Sequence, residues 1–387
     1  MDRRPVIVGA ADYPLINGQV SPGVTPLQMQ AACAVKALGQ AGLTLADVDG
    51  LATAGAWNPT GAGQHITMTV GEYLGIQPRY VDSTNIGGSS FEAHVAHAAM
   101  ALEAGYCDVV LITFASTQRS ARSRGLGGRS PELNMQFETP TGMLSPVGGY
   151  ALAANRYAHL YGDIRQPLAE IAVAARGWAG LNPAATKRDP ITVDDVLDSP
   201  MLSDPLRLLD CCLVTDGGAA LVMTTAERAR DMDHPGIRVA GFGEAQTHWT
   251  MTSMPDVTVT PAAQSGPRAL AAAGISIDEI DVFQVYDSFT ITVLLTLEAL
   301  GVCGPGEGRD FLASHDIGPG GDFPLNTSGG GLSYLHPGMF GIFLLTEACA
   351  QLWGEAGARQ VPGARTSLVN GTGGALSSTA TCVLVRD

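Results

Sequence analysis

Near the start of the chain, apolar residues recur at the spacing of an α-helix that buries one face. Thr25-Pro26 supplies an N-cap and a proline for the first helical turn. Gly42 is placed to close the helix at its C-terminal end. The apolar face consists of Leu27, Ala31, Ala34, Val35 and Leu38.

Residues 79–114 read as a strand, a helix and a second strand. Residues 79–82 lead to a glycine pair and to a helix that opens with Ser89-x-x-Glu92, the spacing of a capping box. The helix ends at Gly105, and Asp108–Phe114 reads as a fully buried strand. This order predicts parallel pairing and the α/β class.

The second half of the chain has a comparable pattern. Val282–Val285 reads as a strand, and a helix follows the segment Tyr286-Asp-Ser-Phe289 and extends to about Leu300. Gly338–Gly354 reads as a later helix, and Thr379–Val385 reads as the closing strand. The glycine-rich stretch 318–333 lies between the two helices.

An internal echo indicates a duplication. Residues 37–51 read ALGQAGLTLADVDGL, and residues 269–283 read ALAAAGISIDEIDVF. In both copies a helix end closed by glycine leads through an aspartate into an apolar segment. We predict two similar halves, 1–232 and 233–387, with a loop excursion at about 117–200 in the first half.

Charge and composition exclude several classes of protein. The 22 basic and 37 acidic side chains leave a net charge of −15, which argues against an electrostatically bound nucleic acid or anionic membrane. No run of 18 apolar residues occurs, so we expect a soluble, cytoplasmic protein. The seven cysteines are scattered without a C-x-x-C motif, which indicates neither a disulfide framework nor a zinc site.

Three segments bring together groups that can carry chemistry. Residues 326–341 set Tyr334 and His336 among glycines that would let a ligand approach the backbone. Tyr286 stands at the end of a predicted strand, where open α/β sheets bind ligands. Residues 85–91 present amides and hydroxyls but no cysteine. A glycine-rich turn and ordinary structural tyrosines would explain the same patterns.

Two further clusters of side chains have a structural interpretation as well as a functional one. His94 and His97 are three residues apart on one helix, yet no carboxylate or cysteine is spaced to complete a metal site. The second cluster consists of Arg119, Arg122, Arg124 and Arg129. These arginines form either a solvated loop face or a binding site for the phosphates of a ligand such as coenzyme A.

Taken together, these segments resemble the thiolase superfamily over essentially the whole chain, most closely the sterol-carrier-protein thiolases and their lipid-transfer-protein relatives. Tyr286-Asp-Ser-Phe289 stands where thiolases have Asn-Glu-Ala-Phe or His-Asp-Cys-Phe, and Leu335-His336-Pro337 matches their Gly-His-Pro motif. Residues 210–220 and 370–375 match as well. The resemblance implies a duplicated thiolase fold, with βαβ-rich halves in a five-layered αβαβα arrangement, usually as a dimer.

The departures from the thiolase pattern concern the reacting groups. Gly88 aligns with the nucleophilic cysteine of thiolases, and no thiol occupies the position of their second cysteine near residues 370–372. Tyr286 replaces asparagine or histidine, whereas His336 is retained. Without either thiol, the acyl-enzyme route has lost its nucleophile and its proton carrier.

This pattern resembles the thiolase-like aldolases of bacterial steroid side-chain degradation. The resemblance implies retro-aldol cleavage of a β-hydroxyacyl-CoA, a 17-hydroxy steroid C22-acyl-CoA, to a 17-ketosteroid and propionyl-CoA. We hypothesise that Tyr286 and Tyr334 exchange protons with the substrate, in an order left open, and that His336 donates to the thioester oxygen. Backbone amides near Gly88 or Gly373 would help.

The resemblance also implies a partner, a small OB-fold protein with a zinc ribbon, in a heterotetramer built on a homodimer. We expect no cofactor or metal in this chain, since coenzyme A belongs to the substrate. The two lysines, Lys36 on a helix and Lys187 beside Arg188, make a Schiff-base aldolase unfavourable. The alternatives are thiolase-type cleavage of another branched acyl-CoA and a non-catalytic acyl-CoA-binding or lipid-binding subunit.

Overall fold

The structure of the chain is a computed structural model that describes residues 2–55, 65–121, 134–143, 146–232 and 234–387. This part of the chain forms strands and helices in alternation, as an α/β protein does. Its strands are β1 (Pro5–Asp12), β2 (Gly50–Thr53), β3 (Tyr80–Asp82), β4 (Val109–Ser116), β5 (Met201–Ser203), β6 (Leu206–Arg207), β7 (Gly217–Thr225), β8 (Ile237–Gln246), β9 (Val282–Val285), β10 (Thr366–Gly373) and β11 (Ser378–Val385).

The helices lie between the strands and differ widely in length. They are α1 (Pro26–Gln40), α2 (Ile66–Leu74), α3 (Ser90–Glu103), α4 (Asn134–Phe137), α5 (Val147–Tyr161), α6 (Arg165–Leu181), α7 (Val193–Asp198), α8 (Ala226–Ala229), α9 (Ala262–Ala273), α10 (Thr290–Leu300), α11 (Gly308–Ser314) and α12 (Gly341–Trp353). None of these helices has the length and apolar composition needed to cross a membrane.

Nine strands hydrogen-bond in the order β3-β2-β4-β7-β1-β8-β11-β10-β9. On one side of the centre, β2 and β4 are parallel and β4, β7 and β1 are antiparallel. On the other side, β9 and β10 are parallel and β10, β11 and β8 are antiparallel. The two sets meet where β1 pairs antiparallel with β8, so one strand pattern occurs twice, in mirror order about this junction.

The two copies of the sequence echo perform the same task in the two halves. Asp49 precedes β2 and accepts hydrogen bonds from the amides of Asp108 and Val109, each at 2.9 Å. Asp281 precedes β9 and accepts from the amides of residues 365 and 366, at 2.8 and 2.9 Å. Each aspartate thus ties the start of one strand to the start of its parallel neighbour, which explains why the echo contains this residue.

Helices pack on the strands in layers. Helix α1 contacts β1, β4 and β7, and α9 contacts β8 and β11. Helices α3 and α12 contact strands of both halves and each other. With α1 and α9 on the strands of one half each and α3 and α12 on both halves of the sheet, the packing fits the five-layered αβαβα arrangement that the resemblance implies. It places the N-terminal ends of α3 and α12 together in the middle of the molecule.

The N-terminus of α1 agrees with the prediction, whereas that of α3 does not. Thr25 and Gln28 form a reciprocal capping box at α1. At α3 the predicted box between Ser89 and Glu92 is absent, because the Ser89 hydroxyl bonds to the Ile86 carbonyl at 3.2 Å and to Ser378 Oγ at 3.1 Å. Glu92 is therefore free to point elsewhere.

Two boundaries also differ from those expected. Helix α12 begins at Gly341 and not at Gly338, because residue 338 has a positive φ of 96° that a helix does not accommodate. The excursion at about 117–200 is not a loop throughout, since it contains α5, α6 and α7. The apolar faces of α5 and α6 pack on α10, α6 also contacts the turn around residue 332, and α7 packs on α6. Periodicity within 117–150 could not show this.

Candidate active site

Tyr286 leaves the end of β9 at the centre of the molecule. Its amide donates to the carbonyl oxygen of Asn370 at 3.0 Å, which continues the parallel pairing of β9 with β10 for one more residue. The side chain is only 4% exposed. The sequence places this tyrosine at the carboxyl end of a strand, and the structure confirms that position.

His336 is held by the turn that precedes it and by the segment before β7. Asp287 accepts hydrogen bonds from the amides of Gly331 and Leu332, at 2.7 and 3.1 Å, and so fixes a π-helical turn at Gly330–Tyr334. The His336 amide donates to Thr215 Oγ1 at 2.9 Å. Both anchors keep the imidazole in one position. Sequence reasoning missed Thr215, although it lies in a segment that matches thiolases.

The Tyr286 hydroxyl and His336 Nε2 are 2.9 Å apart, and their rings meet edge to face. Burial raises the pKa of Tyr286 well above 10 and lowers the pKa of His336 to about 4, so both groups are uncharged at neutral pH. In the tautomer of His336 that carries its proton on Nδ1, the Tyr286 phenol donates its proton to Nε2. We call these two residues the Tyr286–His336 pair.

A backbone amide completes the surroundings of the Tyr286 oxygen. Phe340 N–H, immediately before α12, donates to this oxygen at 3.1 Å. The same oxygen has a second lone pair that can accept a proton from a substrate hydroxyl. Phe340 contributes only its backbone amide to this contact, so the residue type at position 340 could not predict it.

Gly88 leaves the space that the Tyr286 ring fills. A Cβ atom at residue 88 would overlap that ring and lie 2.5 Å from the carbonyl oxygen of Thr372. A cysteine at position 88, as in thiolases, is therefore incompatible with Tyr286 in this position. The two departures from the thiolase pattern are thus coupled by packing.

Gly373 lies at the same end of the site. A Cβ atom there would overlap the carbonyl oxygen of Ile86 and lie 2.6 Å from Ser378 Oγ. Gly87 is equally close, because its own Cβ would lie 2.7 Å from Gly373 Cα. Gly88 and Gly373 thus line the site with backbone, and their role in binding an oxyanion stays a prediction.

Tyr334 is buried close by, but its hydroxyl has another partner. It donates to Asp12 Oδ2 at 2.8 Å, at the end of β1. Burial raises the pKa of Asp12 to about 6, against the opposing effect of this hydrogen bond. The structure therefore joins Tyr286 to His336 and joins Tyr334 to Asp12. Asp12 carried no signal in the sequence, because its partner is 322 residues away.

None of the described cysteines has the environment of a nucleophile. Cys212 is near enough to Tyr286 to affect the pKa of that tyrosine, but burial raises the pKa of the Cys212 thiol well above its ordinary value. The pKa values of Cys211 and Cys303 are raised to about 12 for the same reason. These thiols are uncharged at neutral pH.

The remaining candidates lie outside this pair. Lys36 and Lys187 are exposed, as expected for lysines that form no Schiff base. His94 bonds to the Thr84 carbonyl at 2.9 Å, and no cluster of three or more metal-ligating side chains occurs in the described ranges. Arg119 donates to the Asn17 carbonyl at 2.6 Å. The other members of the arginine cluster lie outside the described residues: Arg122, Arg124 and Arg129.

Comparison with known proteins identifies the family. Residues 243–386 match the thiolase C-terminal domain-like family. The chain is 35% identical to the 17-hydroxy-3-oxo-4-pregnene-20-carboxyl-CoA lyase of Mycobacterium tuberculosis over 90% of its length and 91% of the relative's. It is 34% identical to the steroid side-chain-cleaving aldolase of Thermomonospora curvata over 87% of each chain.

A solved structure supports the same assignment. The Ltp2-ChsH2(DUF35) aldolase superposes on the chain with a TM-score of 0.88 and 30% sequence identity. The superposition covers 100% of this chain and 98% of the other. The chain therefore belongs to the thiolase superfamily and, within it, to the thiolase-like aldolases.

Proposed function

We propose that the chain cleaves a β-hydroxyacyl-CoA by a retro-aldol reaction. The proposed substrate is a 17-hydroxy steroid C22-acyl-CoA, and the products are a 17-ketosteroid and propionyl-CoA in steroid side-chain degradation. The names of the two curated relatives support this substrate class. The observation that carries the proposal is the 2.9 Å contact between Tyr286 and His336, beside a glycine where a thiolase has its nucleophile.

The reaction needs one proton to leave oxygen and one to reach carbon. The Tyr286 oxygen accepts the proton of the substrate hydroxyl while Tyr286 passes its own proton to His336 Nε2. The oxygen's electron pair forms the ketone, the carbon–carbon bond breaks, and its electrons move into the thioester enolate. The proton then returns through Tyr286 to the enolate carbon, so atoms and charge balance without an oxidant or a covalent intermediate.

The enolate oxygen is the second point at which negative charge develops. Backbone amides near Gly88 and Gly373 are proposed to bind it, as the resemblance to thiolases implies. From the sequence alone, His336 is expected to donate to this oxygen, and Tyr286 and Tyr334 are expected to share the two proton transfers in an order left open. The contact of Tyr334 with Asp12 supports a different division, in which the Tyr286–His336 pair carries both proton transfers.

Three variants separate these schemes. We expect Tyr286→Phe and His336→Gln to lower kcat for ketone formation by at least about 100-fold, the range typical of a lost acid–base group. Tyr334→Phe is the matched control, since it also removes one buried phenol hydroxyl; under the proposed scheme it keeps kcat within about tenfold. Ketone and propionyl-CoA are measured after addition of the steroid acyl-CoA, and acyl-CoA affinity is measured for each variant.

Each alternative has its own outcome. A Tyr286→Phe enzyme that cleaves as fast as the parent contradicts the proposal. A mass increase of the intact protein by an acyl group points to thiolase-type cleavage of another branched acyl-CoA. A parent chain that binds acyl-CoA but stays inert, even with its partner, is a non-catalytic binding subunit.

We also propose that the chain works with a small OB-fold protein that carries a zinc ribbon. The support is the solved Ltp2-ChsH2(DUF35) aldolase, whose name contains two components, Ltp2 and ChsH2. A homodimer of this chain with two partners, no zinc or cofactor in the chain itself, and a cytoplasmic location stay parts of the proposal. The mass of the purified complex and the activity with and without the partner test the assembly.

A further inference from the structure

Glu92 is a buried acid that the proposed reaction does not use. It lies on α3, one turn after Gly88, and its exposure is 0%. Neither carboxyl oxygen has a hydrogen-bond partner among the described residues. An unpaired buried carboxyl is costly to the fold, because its charged form loses the water that would solvate it.

Backbone encloses the Glu92 carboxyl from two sides. A Cβ atom at Gly371 of β10 would overlap Oε2 of Glu92 and lie 2.5 Å from its carboxyl carbon. A Cβ atom at Gly341, the first residue of α12, would lie 2.7 Å from Oε1. Both positions are glycine, so the carboxyl fills space that any other side chain would take.

The same backbone separates Glu92 from Tyr286. The Cβ position at Gly88 overlaps the Tyr286 ring, and the Cβ position at Gly341 overlaps the Gly88 carbonyl oxygen as well as Glu92. Phe340, next to Gly341, donates its amide to the Tyr286 oxygen. Tyr286 and Glu92 thus lie on opposite faces of one thin layer of backbone. Burial is the main cause of the raised pKa of Tyr286, and a charge on Glu92, across this layer, adds a smaller effect in the same direction.

We propose that Glu92 is a positioning residue for the Tyr286–His336 pair, and that the pair works only while the Glu92 carboxyl is uncharged. The inference rests on the proposed function. As the substrate loses its proton, negative charge develops beside Tyr286 and on the enolate. A carboxylate behind the backbone would oppose that charge in a region from which water is excluded.

Few titratable groups face Glu92 from the elements around it. Tyr286, at the end of β9, lies on the other side of the backbone layer, and the Cys382 thiol of β11 is 3.5 Å from the Glu92 carbonyl oxygen. Burial raises the pKa of Cys382 well above 9, so this thiol stays neutral. The histidines farther along α3 face Thr84, Asp82 and Glu244.

Burial raises the pKa of Glu92 to about 8, against a smaller opposing effect of its own backbone amide. The carboxyl is therefore uncharged at pH 7 and ionises in the alkaline range. One pH unit above its pKa only about a tenth of an acid keeps its proton. Cleavage by the parent enzyme should accordingly fall as the pH rises through about 8.

Glu92→Gln tests this directly, because glutamine has the shape of the neutral acid and cannot ionise. We expect it to cleave at the parent's rate at pH 7 and about tenfold faster than the parent at pH 9. Glu103→Gln is the matched control, with the same change on the same helix at an exposed position. Its pH–rate profile should follow the parent's. Glu92→Met removes the charge by a second route and should also lose the alkaline fall.

A measurement of stability without substrate tests the charge on Glu92 independently of the reaction. The pKa of Glu92 is about 8 in the folded chain against an ordinary 4.5. A raised pKa means that folding stability is complete below the unfolded value and is lost as the pH rises through the folded value. The difference in Tm between Glu92→Gln and the parent should therefore increase in favour of the variant from pH 6 to pH 9. The corresponding difference for Glu103→Gln should stay constant.

The inference is overturned if Glu92→Gln keeps the parent's alkaline fall, or if it is more than about tenfold slower at pH 7. It is also overturned if the Tm difference does not change with pH. Failure of the proposed function looks different, because Tyr286→Phe would then cleave as the parent does. If Tyr286→Phe loses activity as expected but Glu92→Gln keeps the parent's pH–rate profile, only the inference about Glu92 is wrong.

Discussion

Gly88 and Tyr286 share a volume that holds one side chain. In thiolases the corresponding space holds a cysteine, as the resemblance implies; here the phenol ring occupies it and places its hydroxyl on His336. The exchange replaces a nucleophile with an acid–base group. Both substitutions were visible in the sequence, but their mutual exclusion appears only when the two side chains are placed together.

Adding one methyl group at residue 88 should stop the reaction. Gly88→Ala places a Cβ atom inside the Tyr286 ring, so the ring must move off His336, and we expect kcat to fall by at least about 100-fold. Gly88→Cys should lose cleavage equally and should not acquire an acyl group. Steady-state kinetics and intact-protein mass measure the two effects.

A control glycine makes that experiment specific. Gly39 lies in the last turn of α1, and a Cβ atom there would meet nothing within 4 Å. Gly39→Ala should keep full activity and add less than about 1 kcal/mol to the free energy of unfolding, because alanine has a higher helix propensity than glycine. Gly88→Ala with parental activity would show that the ring can relocate without cost.

At the scale of elements, a bridge of charges ties the two halves together. His97 on α3 contacts Asp82 of β3 at 2.7 Å and Glu244 of β8 at 3.0 Å. The hydrogen bond to Asp82, followed by that to Glu244, raises the pKa of His97 to about 10, so the imidazole is charged at neutral pH. One cation thus joins a carboxylate from each half.

Replacing His97 should weaken the fold in a pH-dependent way. At pH 7, His97→Gln should lower the free energy of unfolding by about 1 kcal/mol, a small value because the side chain is partly exposed and water screens it. The raised pKa implies stabilisation that is complete below the unfolded value near 6.5 and lost as the pH rises through about 10.

Thermal unfolding at several pH values measures this contribution. The Tm gap between the parent and His97→Gln should shrink steadily from pH 6 to pH 10. Lys36→Gln is a suitable control because it removes an exposed charge from another helix. A Tm gap that is constant over this range would mean that packing, and not charge, makes His97 important.

At the scale of the whole molecule, the chain has the thiolase fold, but none of its described cysteines has the environment of a nucleophile. Four cysteines are fully buried in the core, and three are partly exposed. Burial keeps the thiol next to the site, Cys212, in its neutral form. The chemistry therefore falls to groups that exchange protons, and the duplicated sheet serves to bring their backbone supports together.

The thiols should accordingly be dispensable for cleavage. Cys212→Ser, which keeps a small polar side chain, should retain kcat within about threefold, because no step uses a thiolate. Iodoacetamide should leave the native parent active, and alkylation of the unfolded chain confirms that the reagent was competent. Inactivation that the acyl-CoA prevents and Cys212→Ser abolishes would place a thiol in the reaction.

Local pattern determined much of this protein. The helix caps at Thr25 and Gly274, the buried strand at 109–116 and the repeated aspartates before β2 and β9 each depend on neighbours along the chain. Motif order then indicated the superfamily and the loss of both thiols. Residue types at a strand end or a glycine turn are local signals, and these were sufficient to select Tyr286, His336 and Gly88 as candidate site residues.

Only the tertiary structure decided which of these groups act on each other. Tyr286 and His336 are 50 residues apart, and Tyr334 and Asp12 are 322 apart, so no periodicity could indicate either contact. The same holds for Glu92, which local spacing assigned to a cap. The convergence of α3, α12 and β10 leaves its carboxyl without a hydrogen-bond partner among the described residues. Protonation depends on burial and on distant neighbours, and both arise only when the two halves close around the central helices.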